Sequence, residues 1–298
     1  MEASGQTPRP ALSFDSGNLR RRRRVNRVME ISAWVAAVFA VAVLFFLLGS
    51  VFVKGVSALN LDFLTKSTDF VESGGGISNA LIGTGVLVGL ATLMAVPVGI
   101  LVAIYTSEFA GPRSGYAIRY VLDILNGVPT IITGIFIFAL LVAGGQQNGT
   151  AGAVALAIVM LPLVARSCHE VLTLVPGSVK EAGLALGASR WRAVLSVVVP
   201  TALSGMLTGA LLAVARAAGE TAPLLFTNAL FVNAVQTDPS QALPNIPVTI
   251  FNESQSPNPA LHAQAWAAAL VLIFFILLIS IAARLLSARS RKRLGAVR

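Results

Sequence analysis

The chain has 298 residues, 55% of them hydrophobic and only 12% charged, with a mean hydropathy of +0.79. Soluble domains carry about 25% charged residues, so half the charge of an aqueous surface is missing, which argues against an ordinary soluble enzyme. The basic excess of 22 Lys and Arg over 13 Asp and Glu then fits a membrane protein better than a nucleic-acid binder.

A helix that crosses a bilayer needs about 20 mostly apolar residues, and uncharged stretches of that length divide the chain. Residues 1–28 form a basic tail expected to be disordered, and within it residues 1–19 carry Pro, Gly and Ser without periodicity. Arg20 to Arg24 stand immediately before the first span, as a topology anchor does, rather than as a nuclear-targeting patch. The first span covers residues 31–53 and exceeds the roughly 7–15 apolar residues of a signal peptide, so it is expected to be retained. A loop at 54–78 leads to a second span at 79–104. The third, near 120–143, carries only Asp123 and ends at Gly144-Gly145-Gln146-Gln147-Asn148-Gly149; the fourth covers 151–170. Between spans four and five lies a short segment, 176–192. Pro176 ends the helix before it, and Gly187 can stop a short helix by taking positive φ. The fifth span, 193–215, is followed by a long loop, 227–261, whose Pro239, Pro244, Pro247, Pro257 and Pro259 argue against a regular helix. The sixth covers 263–283, and 291–298 form a closing tail.

Placing the N-terminus inside puts eighteen of the 22 basic residues on the cytoplasmic side and only Lys54 and Lys66 outside. Such a bias makes both termini cytoplasmic, and the even number of spans agrees. Trp34 and Trp266 fall near span ends, where amphipathic rings settle at the interface. The Asn148-Gly149-Thr150 and Asn252-Glu253-Ser254 triplets match a glycosylation pattern too common by chance to carry weight.

No self-contained catalytic machinery is legible, and no catalytic residue is assigned. There is no G-x-x-x-x-G-K-[ST] loop and no G-x-S-x-G elbow, and Thr173 stands where His169-Glu170 would need a second His. The single Cys168 rules out an intrachain disulfide, and no Cys/His cluster has the spacing of a zinc site.

The informative residues are charges inside spans. Arg216 closes the fifth span and Glu220 follows at i+4, on the same helix face. An ion at the bilayer centre costs about 2.5–3.5 kcal/mol even on the lenient scale, so such groups face a bundle interior or a wet path. Two readings stand: a self-neutralising pair, or an anion site in which the guanidinium fork binds oxyanion oxygens and Glu220 tunes it. Counted from the span entrances, Arg216 lies about 24 Å in and Arg166 about 22 Å in from the opposite side, so they bracket the midplane. Arg166 either snorkels to the interface or faces the path, and Asp123 is either a helix cap or a functional carboxylate.

Glu181-Ala182-Gly183, three residues, Gly187, nine residues, then Val197-Val198-Val199-Pro200 resembles the EAA loop of ABC-importer permeases. Gly183 replaces the second Ala, and two Val replace Ile and Leu. Arg216-Ala217-Ala218-Gly219-Glu220-Thr221-Ala222-Pro223-Leu224-Leu225-Phe226 is similar to a signature of phosphate-importer permeases of the PstA type. Gly74 to Ala80, Asp123 with Gly127-Val128-Pro129-Thr130, and Leu161-Pro162 through Arg166 extend the likeness, which covers residues 28–290. The sister C-type permease carries a related version of the Gly-Glu-Thr-Ala-Pro segment.

The resemblance implies an all-α integral membrane protein with the type I ABC-importer (MetI-like) fold, residues 29–290 forming a six-helix permease domain. It implies a bacterial plasma-membrane subunit that forms half of a phosphate path, and no enzyme. Arg216, Glu220, Arg166 and Thr221 would line that path. Glu181, Ala182, Gly183, Gly187 and Arg190 would couple it to a separate ATPase. The implied partners are a homologous permease (PstC type), an ATPase dimer (PstB type), an extracytoplasmic phosphate-binding protein (PstS type), phosphate and membrane lipid, with no nucleic acid. No cofactor is implied on this chain; ATP and magnesium would sit on the ATPase. The alternatives are a permease for another oxyanion, sulfate or molybdate, and a secondary transporter or channel.

Overall fold

The computed structural model describes residues 16–68, 75–229 and 233–295, in which the regular structure is helical. Two compact units are present, Met1–Ser50 and Val51–Arg298. The described residues of the first unit are the start of helix α1 (Ser16–Val56). From Ile31 onward this helix is apolar on all sides, and Trp34, Phe39, Phe45 and Phe46 are all exposed, the pattern of a surface made for lipid. Residues 16–28, expected to be disordered, are instead helical, because the arginine-rich stretch has good helix propensity and continues a span that is already nucleated. Residues 1–15 of that tail lie outside the described residues.

The second unit begins with a short helix, α2 (Leu61–Thr65), and is then built around α3 (Ser78–Ile104), α6 (Gly149–Thr173), α9 (Val199–Ala217) and α12 (Pro259–Gly295). Among the described helices α3 and α6 share the most extensive contact, and its core is made largely of Ala91, Ala95, Ala153 and Ala157 around Leu87, Leu156 and Met160. Small residues set the spacing. A Cβ on Gly99 would fall 2.8 Å from Val164, and Cβ atoms on Gly205 and Gly209 of α9 would fall 2.5 Å from Val171 and 2.7 Å from Ser167. In lipid no hydrophobic drive pulls helices together, so close approach of backbones supplies the attraction.

The third span is not the continuous helix over 120–143 that hydropathy predicts. It is α4 (Pro112–Gly127) and α5 (Thr130–Ile137, continued by a π-helical turn to Val142), which meet at 94°. Pro129 is the cause: its ring excludes the helical region for the preceding residue, and Val128 has ψ 127°. Among the described residues, five helices are long and apolar enough to cross a membrane, or six with the bent pair counted as one span.

The 227–261 segment holds more helix than its prolines suggest. The short helices α7 (Gly177–Ala185), α8 (Arg190–Ala193) and α10 (Ala222–Thr227) precede α11 (Ile246–Ser254), which starts with the Asn245 carboxamide accepting from the Val248 N–H. Pro247 sits in its first turn, where a missing N–H costs nothing. The same segment is pinned to α3: Ile246 N–H donates to Thr84 Oγ1 at 2.9 Å, and a Cβ on Gly83 would sit 1.9 Å from the Pro244 carbonyl oxygen. At the C-terminus the helix runs to Gly295, so most of the expected 291–298 tail is helical and 296–298 lie outside the described residues.

Candidate functional site

Helix α9 ends on Ala217, and the chain turns over Ala218–Thr221 before α10 begins. Gly219 and Glu220 donate their N–H groups to the Arg216 and Ala217 carbonyls, both at 3.1 Å. Gly134 of α5 allows α10 to lie close, since a Cβ there would be 2.7 Å from Pro223 Cα. The elbow leaves Arg216 in the last turn of α9, where a cation is favoured by the helix dipole. Arg216 Nε lies 3.6 Å from Glu220 Oε1, an ion pair beyond direct hydrogen-bond reach. The Arg216 side chain is 63% exposed and Glu220 only 17%. This is not a locked pair: the carboxylate is sheltered and the guanidinium is open. Thr221, half-buried, immediately precedes α10 and makes no capping bond with its side chain.

Arg166 has a different setting. Its Nη1 donates to Asp123 Oδ1 at 3.1 Å and its Nε to Glu170 Oε1 at 3.3 Å. Asp123 is thus no helix cap but a tie from α4 to α6, across 43 positions of sequence. The two arginines that the sequence places on either side of the midplane have separate carboxylate partners.

The 176–192 segment forms the short helix α7 and then α8, and Gly187 has φ +80° as its place after the helix predicts. One face of α7 is fastened down. Lys180 Nζ meets Glu108 Oε2 at 2.5 Å, with Glu108 only 10% exposed. The Arg190 guanidinium donates to the Glu108 carbonyl and lies 5.4 Å from the Phe109 ring centroid, which in turn is 5.4 Å from that of Trp191. Gly183 is buried, and a Cβ on it would lie 3.4 Å from Ala193 Cβ. The other face is open: Glu181, Ala182, Leu184, Leu186 and Gly187 are exposed. Glu108 escaped the sequence reading, although it is the one acid between the second and third spans.

A second missed residue is Glu253. Ile246 and Ile250 of α11 pack against Ala267, Ala268 and Val271 of α12, and Glu253 continues that face at helical spacing. It is 1% exposed, neither carboxyl oxygen has a hydrogen-bond partner among the described residues, and burial pushes its carboxyl up to about 8. Its only sequence signal was the uninformative Asn252-Glu253-Ser254 triplet. His262 is exposed, with Nε2 2.6 Å from the Ser256 carbonyl.

Residues 95–292 match the family described as binding-protein-dependent transport system inner membrane component. The phosphate transport system permease protein PstA of Yersinia pestis is 38% identical, over 91% of this chain and 92% of its own. PstA of Haemophilus influenzae is 38% identical over 89% and 94%, and PstA 1 of Mycobacterium tuberculosis H37Rv 35% over 99% and 97%. Among solved structures, an inward-facing MetNI methionine ABC transporter aligns over 72% of this chain and 93% of its own, with TM-score 0.54 and 19% identity. A bacterial ABC transporter involved in the import of the acidic polysaccharide alginate aligns over 91% and 99%, with TM-score 0.61 and 14% identity. These two speak for the fold alone, the all-α MetI-like permease fold of type I ABC importers. By model match over most of its length and by identity to full-length relatives, the chain belongs to the binding-protein-dependent transport system inner membrane components, and within them to the PstA permease proteins.

Proposed function

We propose that this chain is the permease subunit of an ATP-driven importer of inorganic phosphate, forming half of the translocation path. The observation that carries this reading is the 35–38% identity, over about nine-tenths of the chain or more, to relatives named phosphate transport permeases. In this reading Arg216 is the path's anion-binding group. Its guanidinium is exposed at the helix break, and sheltered Glu220 stands near enough to offset its charge and beyond the distance that would engage it. Thr221 lies beside them at the elbow, and Arg166 serves the same anion from α6.

Coupling runs through the opposite end. The exposed face of Glu181, Ala182 and Gly187 fits a groove of a cytoplasmic ATPase, which holds ATP and magnesium. Gly183 and Arg190 fix α7 onto α8 and the end of α3, so a pull on α7 is transmitted to α3 through Glu108 and from there to α6. A homologous permease completes the path, a PstB-type ATPase dimer drives it, and a PstS-type binding protein delivers phosphate to the loops at 54–78 and 227–261. The chain spans the bacterial plasma membrane with both termini cytoplasmic, which its eighteen-to-two bias of basic residues supports.

Replacing Arg216 by Ala in the reconstituted transporter is expected to abolish phosphate uptake while the assembled complex still hydrolyses ATP. Normal uptake by that variant would overturn the site assignment. Competition of uptake by sulfate or molybdate, rather than by phosphate, would instead favour another oxyanion as cargo.

A further inference from the structure

A cavity of about 170 Å³ lies between α4 and the second half of α6. At about 30 Å³ per water molecule it has room for one tetrahedral oxyanion and a few waters. Its wall holds two cations, Arg119 and Arg166, and two carboxylates, Asp123 and Glu170. Both carboxylates are engaged with Arg166, at 3.1 and 3.3 Å. Arg119 makes no ion pair among the described residues. The cavity thus offers one free guanidinium and one that an anion obtains only by displacing a carboxylate.

The acceptors in the same wall narrow the ligand. Thr106 Oγ1 lies 2.8 Å from the Val102 carbonyl, 3.1 Å from that of Ala103 and 3.0 Å from His169 Nδ1; with its proton given to a carbonyl, its oxygen accepts from the Nδ1–H tautomer of His169. A neutral imidazole so oriented keeps Nε2 as an acceptor. His169, Asp123 and Glu170 therefore present hydrogen-bond acceptors beside the donors of Arg119. Phosphate carries at least one proton at neutral pH and can donate to an acceptor; sulfate carries none and is repelled by it. The fixed charges of the two arginines and two carboxylates cancel, so an anion is held weakly, as a departing substrate has to be.

We propose that this cavity is a low-affinity exit subsite for a protonated tetrahedral oxyanion, with Arg119 as the free donor and Asp123 and Glu170 as competitors for Arg166 that keep the affinity low. The proposal rests on the phosphate-import reading above and extends it to how the anion is released. The test is equilibrium binding of radiolabelled phosphate and sulfate to the nucleotide-free transporter complex in nanodiscs, without the binding protein, alongside uptake by the same complex in vesicles. Glu170→Gln and Asp123→Asn should each tighten phosphate binding about tenfold, the effect expected when one charged hydrogen bond no longer competes, and should narrow the preference over sulfate. Arg119→Ala should weaken phosphate binding by a similar factor. If Asp123→Asn prevents assembly, Glu170→Gln decides alone, since Glu170 and Arg166 share a helix and their pair ties no two helices together. Unchanged phosphate and sulfate affinities in Glu170→Gln, or unchanged phosphate affinity in Arg119→Ala, would overturn the subsite even with normal uptake. The expected binding changes in a complex that imports no phosphate would keep the subsite and refute the import reading instead.

Discussion

Replacing Glu253 by Gln should change how this protein's stability depends on pH, and the sign follows from its burial. In the folded chain the carboxyl has no hydrogen-bond partner among the described residues and is pushed up to about 8 from an ordinary 4.5. The folded state therefore holds a proton that the unfolded chain gives up near pH 4.5. Stability from this group is complete below about pH 4.5, falls as pH rises through the window, and levels off above about 8. While the two states differ by one proton the loss is about 1.4 kcal/mol per pH unit, or about 4 kcal/mol from pH 5 to pH 8. At roughly 2 °C of Tm per kcal/mol for a chain of this size, that is a drop of roughly 8 °C. The assay is thermal unfolding of the detergent-solubilised complex from pH 5 to pH 9, comparing wild type with Glu253→Gln so that other titrations cancel. The two proteins should melt close together at pH 5 and diverge steadily up to pH 8, with the variant more stable. Curves that stay parallel across the range would refute the reasoning, because they would mean that Glu253 ionises in the folded state as readily as in water.

Two further predictions concern packing and coupling. Gly83→Ala would place a methyl 1.9 Å from the Pro244 carbonyl, a backbone atom that no rotamer change moves aside. It should cost about 3 kcal/mol, the upper end of overpacking penalties, and expose residues 233–245 to limited proteolysis. Glu108→Gln removes the ion pair with Lys180 and leaves the ammonium 28% exposed without its partner. A loss of about 1–3 kcal/mol is expected, together with ATP hydrolysis that no longer drives uptake, read as the ratio of phosphate imported to ATP consumed.

Much of the fold is local and so is visible in the chain. Hydropathy is summed over consecutive residues, which is why spans near 31–53, 79–104, 151–170, 193–215 and 263–283 are found within helices of the structure. Gly187 and the Arg216–Glu220 spacing are visible for the same reason, since a positive-φ terminator and an i, i+4 pair are defined by a few neighbours. The third span shows the limit of this. Its apolar residues continue through Pro129, and hydropathy does not register that a proline there turns the chain by 94°.

The rest depends on which helices meet. That Arg166 is engaged while Arg216 is open is decided by α4 bringing Asp123 to one of them, whereas among the described residues no carboxylate from another helix reaches the other. Glu108 becomes the anchor of α7 only because the turn that follows α3 lies beside Lys180 and Arg190, and Glu253 loses water only because its face of α11 is buried in the folded chain. By itself the sequence determined that the chain lives in a membrane, where its spans lie and which charges are out of place there, because the cost of putting a residue in lipid belongs to that residue. The tertiary structure decided which of those charges are paired, which are free and which are dry, because pairing and desolvation belong to the contacts between segments far apart in the chain.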